Sequence, residues 1–226
     1  MRRFTELITD LAKCNLDILA DKTSSPESYR RAMAALGGEL SKAVNRECGT
    51  LDRKVMLACA SEDADWLAKG LMEGLDDCHL KIAVYWNDRV QVGQDAQGRK
   101  IEISPIVKSY EEPCEDCDTL IVVKSIISTS CVVKTQLTRL IGRVNPSRIL
   151  IAAPVMFKDS EESLRREFPE SISALFHFLT LAIDDEKDGD AIVPGIGGMI
   201  YPRIGLGEFG EKNRYMPELV VERLKF

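Results

Sequence analysis

Residues Lys124-Ser125-Ile126-Ile127-Ser128-Thr129-Ser130-Cys131 set a lysine and a row of hydroxyls between two structured segments. The run before them, Thr119-Leu120-Ile121-Val122-Val123, reads as a buried strand, and the segment after them as a helix. Free backbone N–H groups at such a helix start, with the hydroxyls of Ser128, Thr129 and Ser130, can cradle one phosphate. Lys124, with Ser125 beside it, adds a positive charge. An ordinary N-cap is the alternative, since Ser and Thr are favoured there without any ligand. The loop taken alone leaves both open.

Other residue types with chemical potential carry less. Cys114 and Cys117 form one CxxC, whereas a structural zinc needs four ligands and no second pair is spaced for it. A solvated turn is expected there. The pair precedes a strand rather than opening a helix, which argues against a thioredoxin-like role. His79 and His177 stand apart, and His177 sits in an apolar run that predicts a packed residue. Trp66 and Trp86 are expected in a core or an interface. Acids at Glu62, Asp63 and Asp65 follow an apolar run and are expected to cap the helix they open.

Elements that position these groups follow from periodicity. Residues 3 to 20 have helical spacing, and Ser25 before Pro26 and Glu27 starts a second helix through residue 46. Residues 53 to 60 read as a buried strand, residues 61 to 75 as a helix, and residues 80 to 88 as a strand. "VQVGQDAQGRKIEISPIV" reads as two alternating strands around a Gly-containing loop, so residues 82 to 108 hold a protruding hairpin. Further strands fall at residues 147 to 155, within "ALFHFLTLAID" and at "DAIVPGIGG", which ends in a glycine-rich turn. Apolar strands alternating with amphipathic helices predict an α/β fold, a mainly parallel twisted sheet flanked by helices. Ligands in such folds sit beyond the carboxyl ends of the strands.

The chain of 226 residues is long enough for one α/β domain spanning 1–226, with a tail at 199–226. Hydrophobic content of 45% and charged content of 29% are those of an ordinary globular protein. A net charge of −6 argues against nucleic acid as the main partner, because neutralising phosphates needs a basic surface. No stretch approaches about 20 apolar residues, so no membrane helix is expected. Glu6, Asp10 and Lys13 interrupt any signal-peptide core, and seven scattered cysteines fit a reducing compartment, so a cytoplasmic location is expected.

The strand, short loop and Thr-centred turn into a helix resemble the phosphoribosyl pyrophosphate loop of type I phosphoribosyltransferases. "SRILIAAPV", the helix ending "REFP" and "LTLAIDDEKDGDAIVPGIGG" are similar to the last third of the uracil phosphoribosyltransferases. The resemblance covers roughly residues 27 to 200, and "AIVPGIG" is its most specific part. It implies a type I phosphoribosyltransferase-like fold. It also implies a base pocket at Ile192, Val193, Pro194, Gly195, Ile196, Gly197 and Gly198, where glycine lets the backbone approach a planar ligand.

The same resemblance exposes departures. Where the family's loop begins with an acid linked to ribose and magnesium, this chain has Lys124, and a cation cannot ligate Mg²⁺. Where the family receives pyrophosphate, this chain has Glu62, Asp63 and Asp65, which repel it. Beyond Gly197 the family's acid-containing segment is not matched, and Arg203 is the candidate ligand clamp. The expected function is therefore binding of a nucleotide or related phosphorylated ligand, with ordinary uracil phosphoribosyl transfer weak or lost. An active pyrimidine phosphoribosyltransferase and a non-catalytic assembly subunit are the alternatives. Mg²⁺ is expected only if the chain is active, no other cofactor is implied, and a homodimer or larger assembly is expected.

Overall fold

Successive residues of a strand point to opposite faces. On β2 (Arg53–Ala60), Val55, Leu57 and Cys59 enter one apolar core, and Met56 and Ala58 enter another. The central sheet is thus covered on both faces, which is why its strands read as continuous apolar runs. The computed structural model describes residues 1–49, 53–75, 78–88, 90–94, 100–114, 117–129, 131–207 and 213–225.

The chain begins with β1 (Arg2–Phe4), α1 (Asp10–Ala20) and α2 (Pro26–Cys48). After β2 come α3 (Ser61–Asp63), a π-helical turn (Ala64–Ala68), α4 (Lys69–Glu73) and β3 (Cys78–Asn87). Strands β4 (Val90–Gln94) and β5 (Lys100–Ile103) pair antiparallel as a separate hairpin and are followed by β6 (Ile106–Glu111). Next are β7 (Thr119–Val123), β8 (Ile126–Ile127), α5 (Cys131–Val144), β9 (Arg148–Phe157), α6 (Ser160–Arg166) and α7 (Glu170–Ser173). The chain closes with β10 (Phe176–Asp184), β11 (Glu186–Asp188), β12 (Ala191–Val193), α8 (Ile200–Arg203) and α9 (Glu218–Leu224).

The sheet runs β1-β10-β9-β7-β2-β3-β6, with β1 and β6 antiparallel at its edges. Taken in chain order, the parallel strands β2, β3, β7, β9 and β10 lie in the order 2-1-3-4-5. The order reverses between β2 and β7, which makes their carboxyl ends the topological switch point. The mainly parallel α/β sheet, its flanking helices and the short hairpin agree with the sequence reading.

One core lies under α1, α2, α4 and α9, the other under α5 and α6. Helices α2 and α4 touch through glycine: a Cβ on Gly70 would stand 2.2 Å from the Ala34 carbonyl oxygen. Among the described residues, no helix is long and apolar enough to cross a membrane.

Several local expectations are corrected. The helix expected over 3 to 20 begins only at Asp10, where the Thr9 hydroxyl accepts the Ala12 N–H at 3.0 Å. Arg2–Phe4 is instead an edge strand, because pairing with β10 and the contact of Arg2 with Asp184 override local periodicity. The solvated turn expected at Cys114 and Cys117 is a disulfide with Cα atoms 5.9 Å apart, and Cys117 is buried. Asp65 caps no part of its own helix. Its carboxylate accepts the N–H groups of Glu218 at 2.9 Å and Leu219 at 2.8 Å, so it caps α9. Leu219 and Val220 are thereby buried against their own chain.

Candidate functional site

The register aligns Cys59 with Val123, so the ends of β2 and β7 lie side by side. Residues that follow them meet at once. The Lys124 Nζ donates to Asp63 Oδ2 at 2.6 Å and to Glu62 Oε1 at 3.1 Å. The Ser125 N–H donates to the other Asp63 oxygen at 3.2 Å. Asp63 is fully buried, and the side chains of Glu62 and Lys124 are only 10% and 11% exposed. The Tyr201 hydroxyl donates to Glu62.

Charge states follow from this packing. Burial opposes the Lys124 charge, but Asp63 and then Glu62 outweigh it and hold the ammonium above the usual lysine range. Burial also works against Glu62, yet Lys124, a backbone N–H and Tyr201 together keep its carboxyl below the usual range. Burial lifts the Asp63 carboxyl, Lys124 pulls it down, and Glu62 pushes it up again, leaving it raised to about 6.

A cavity of about 530 Å³ opens over this cluster, within the size range of small-ligand pockets. Glu62, Lys124 and Tyr201 line its floor. Of the phosphate-seat residues, Ser125, Ser128 and Thr129 also line it. Ser130 lies outside the described residues. Lys124 reaches the cavity, but its ammonium is held by the two acids. The 14-residue helix α5 starts at Cys131, directly after this turn.

The glycine-rich turn is divided. Ile192, Ile196 and Gly198 line the cavity, whereas Val193, Pro194, Gly195 and Gly197 do not. Buried Asp184, at the end of β10, fixes the turn by accepting the Gly195 N–H at 2.9 Å. Arg2 bridges Asp184 at 2.8 Å and the Gly195 carbonyl at 2.6 Å. The Tyr29 hydroxyl donates to the Ile196 carbonyl at 2.9 Å. Gly197 has a φ of 75° and packs on the end of α1, where a Cβ would stand 2.2 Å from the Leu19 carbonyl oxygen. These backbone groups are thus engaged by the protein itself.

Arg203, read from sequence as a ligand clamp, stands elsewhere. Its guanidinium donates to the carbonyls of Leu19 at 3.2 Å, Asp21 at 2.6 Å and Lys22 at 2.8 Å and lies 4.7 Å over the Tyr29 ring. A cation there satisfies the open carbonyls at the end of α1.

Sequence reasoning did not pick out the hairpin wall. Asn87 donates to the Ser104 carbonyl at 3.0 Å, and both residues line the cavity. The Ser104 hydroxyl is buried and has no hydrogen-bond partner among the described residues. Asp88, Glu102 and Asp190 line the same space, so among the described residues carboxylates outnumber its one lysine. Opposite charges at the ends of two apolar runs, Glu62-Asp63 and Lys124, were the available signal for the floor. The wall left none, because Asn87 and Ser104 are brought together only by the hairpin.

The residues do not fit magnesium. The Lys124 ammonium occupies the position between Glu62 and Asp63 that a cation held by those acids would take. Among the described residues, no group of three or more His, Cys, Asp or Glu is placed to hold a metal ion.

No protein-family model matches the chain, and no curated protein matches it. Among solved structures, the AQ2163 protein from Aquifex aeolicus is similar at a TM-score of 0.66 and 14% identity, over 92% of this chain and 100% of that one. That likeness shows a shared fold. A hypoxanthine phosphoribosyltransferase from Staphylococcus aureus reaches a TM-score of 0.41 and 12% identity over 57% of this chain and 65% of that one. A hypothetical protein from Neisseria gonorrhoeae with bound ppGpp reaches 0.40 and 15% over 68% and 81%. These two likenesses are too slight to carry an argument.

Proposed function

We propose that this chain has a type I phosphoribosyltransferase-like fold and binds a nucleotide or related phosphorylated ligand, with ordinary uracil phosphoribosyl transfer weak or lost. The observation that carries this reading is the buried Lys124–Glu62–Asp63 cluster at the switch point. The parallel strand order and the sequence resemblance together support a ligand site at this point. Phosphoribosyl transfer needs charge stabilisation of departing pyrophosphate. Here the turn after β2 presents carboxylates, and the one lysine beside them is already neutralised. Pyrophosphate brought to this floor meets net repulsion.

Binding without that chemistry remains well supported. Ser128 and Thr129 stand at the start of α5, where N–H groups and the helix dipole favour one phosphate. Ile192 and Ile196 give an apolar wall for a flat ring. The homodimer or larger assembly expected from the sequence belongs to the same proposal, and light scattering on the purified chain measures it. The binding test is a thermal shift with UMP and with phosphoribosyl pyrophosphate, each with and without Mg²⁺. A ligand at 100 times its Kd adds about 2.7 kcal/mol of stability. The reading expects a shift with UMP that is indifferent to Mg²⁺. Absence of any shift with either compound would favour a scaffold role instead.

A further inference from the structure

We propose that Ser104, on the hairpin side of the cavity, reads the polar edge of the bound base, and that the glycine-rich turn supplies only an apolar wall. This rests on the nucleotide-binding reading and names the residue that selects the base.

The turn has little hydrogen-bonding capacity left for a ligand. The Gly195 N–H donates to Asp184 at 2.9 Å, and the Gly195 carbonyl accepts from Arg2 at 2.6 Å. The Ile196 carbonyl accepts from Tyr29 at 2.9 Å, and the Gly197 N–H donates to the Pro194 carbonyl at 3.3 Å. What this part of the chain presents to the cavity is mainly apolar: Ile192, Ile196 and Ile200. Such a wall suits the face of a flat ring. It leaves the polar edge of the ring without partners, and burying that edge unpaired costs free energy.

The hairpin side offers what the turn lacks. Ser104 is only 2% exposed and lines the cavity, and its hydroxyl has no partner among the described residues. A buried hydroxyl left unpaired costs free energy that a bound polar group recovers. A hydroxyl is donor and acceptor at once, so it can answer either a ring N–H or a ring carbonyl. Neighbouring side chains hold Ser104 in place. Asn87, at the end of β3, donates to the Ser104 carbonyl at 3.0 Å. The fully buried Gln136 of α5 donates to Asn87 Oδ1 at 3.5 Å. Gln136 stands three residues after Val133, a cavity-lining residue on the same face of α5. The chain from Gln136 through Asn87 to Ser104 ties the hairpin to the helix. Asn87 and Gln136 therefore act as positioning residues, and Ser104 meets the base.

The test is calorimetric titration of the full chain and of Ser104→Ala with UMP and with ribose 5-phosphate, which lacks the base. Loss of one hydrogen bond should weaken UMP about two- to ten-fold and leave ribose 5-phosphate unchanged. Thermal melting without ligand is the second readout. Ser104→Ala should melt at or above the native temperature, because it removes a hydroxyl that has no partner in the free protein. Unchanged UMP affinity, or an equal loss for both ligands, overturns the role of Ser104 and leaves nucleotide binding intact. A ligand-free variant that melts several degrees lower shows that the hydroxyl already serves the fold and overturns the premise. UMP that fails to bind the native chain overturns the nucleotide reading and this inference with it.

Discussion

Replacing Lys124 with methionine tests the cluster at its centre. Methionine keeps much of the side-chain volume and removes the charge, leaving Glu62 and Asp63 buried without their cation. At 2.6 and 3.1 Å, each ion contact carries about 5–6 kcal/mol of gross attraction at an effective dielectric of about 20. Desolvation of the three groups offsets most of that. Removing one partner of a buried ion pair nonetheless costs about 3–5 kcal/mol, because a charge is left uncompensated. Urea unfolding followed by fluorescence should show the midpoint fall by roughly 1–2 M at pH 7.5, taking a slope of about 3 kcal/mol per molar. The pH dependence supplies the sign. Without Lys124, the Asp63 carboxyl rises further above its ordinary 3.8, and the Glu62 carboxyl rises as well, having lost the cation that does most to hold it below its ordinary 4.5. A raised folded-state value favours the fold at low pH and loses that stability as pH rises. The deficit of Lys124→Met should therefore be largest near pH 8 and shrink toward pH 5. A midpoint within about 0.3 M of the native one, or a deficit that grows on acidification, would refute the reasoning.

Asp63→Asn should behave differently. The native Asp63 carboxyl titrates near 6 against an ordinary 3.8, so its contribution is complete below about pH 4 and lost as pH rises through 6. Stability curves from pH 4 to 7 should show the native advantage over Asp63→Asn narrowing as pH rises. Gly70→Ala should cost about 1–3 kcal/mol by thermal melting, because its Cβ would press on the Ala34 carbonyl oxygen at 2.2 Å and force α2 from α4. Asp65→Ala removes the acceptor at the start of α9 and should cost about 0.5–2 kcal/mol. Limited proteolysis should then cut the C-terminal segment first, and an unchanged digestion pattern would contradict the capping role.

The sheet was legible because each central strand is apolar on both faces, as Val55 to Ala60 and Leu120 to Val123 show. The hairpin was legible from alternation around a glycine. Arg2–Phe4 was not, since three residues carry no period and their strand exists only by pairing with Ala182 to Asp184. Lys124 and the Glu62-Asp63 pair each stood out in the sequence as departures from one pattern. Read separately, they looked like a phosphate ligand and a helix cap. Only the adjacency of β2 and β7 shows that they neutralise each other. Arg203 looked available for a ligand for the same reason: its partners at the end of α1 lie far away in sequence. The glycine-rich turn was legible as a special backbone, but Asp184, Arg2 and Tyr29, which hold it, were not.

The most direct test of the account is ³¹P NMR of the chain mixed with uracil, phosphoribosyl pyrophosphate and Mg²⁺, with UMP added in a parallel sample. Binding without transfer predicts a broadened UMP phosphate resonance and no pyrophosphate above the protein-free control. Pyrophosphate accumulating at enzymatic rates, or a UMP resonance as sharp as in buffer, would contradict it.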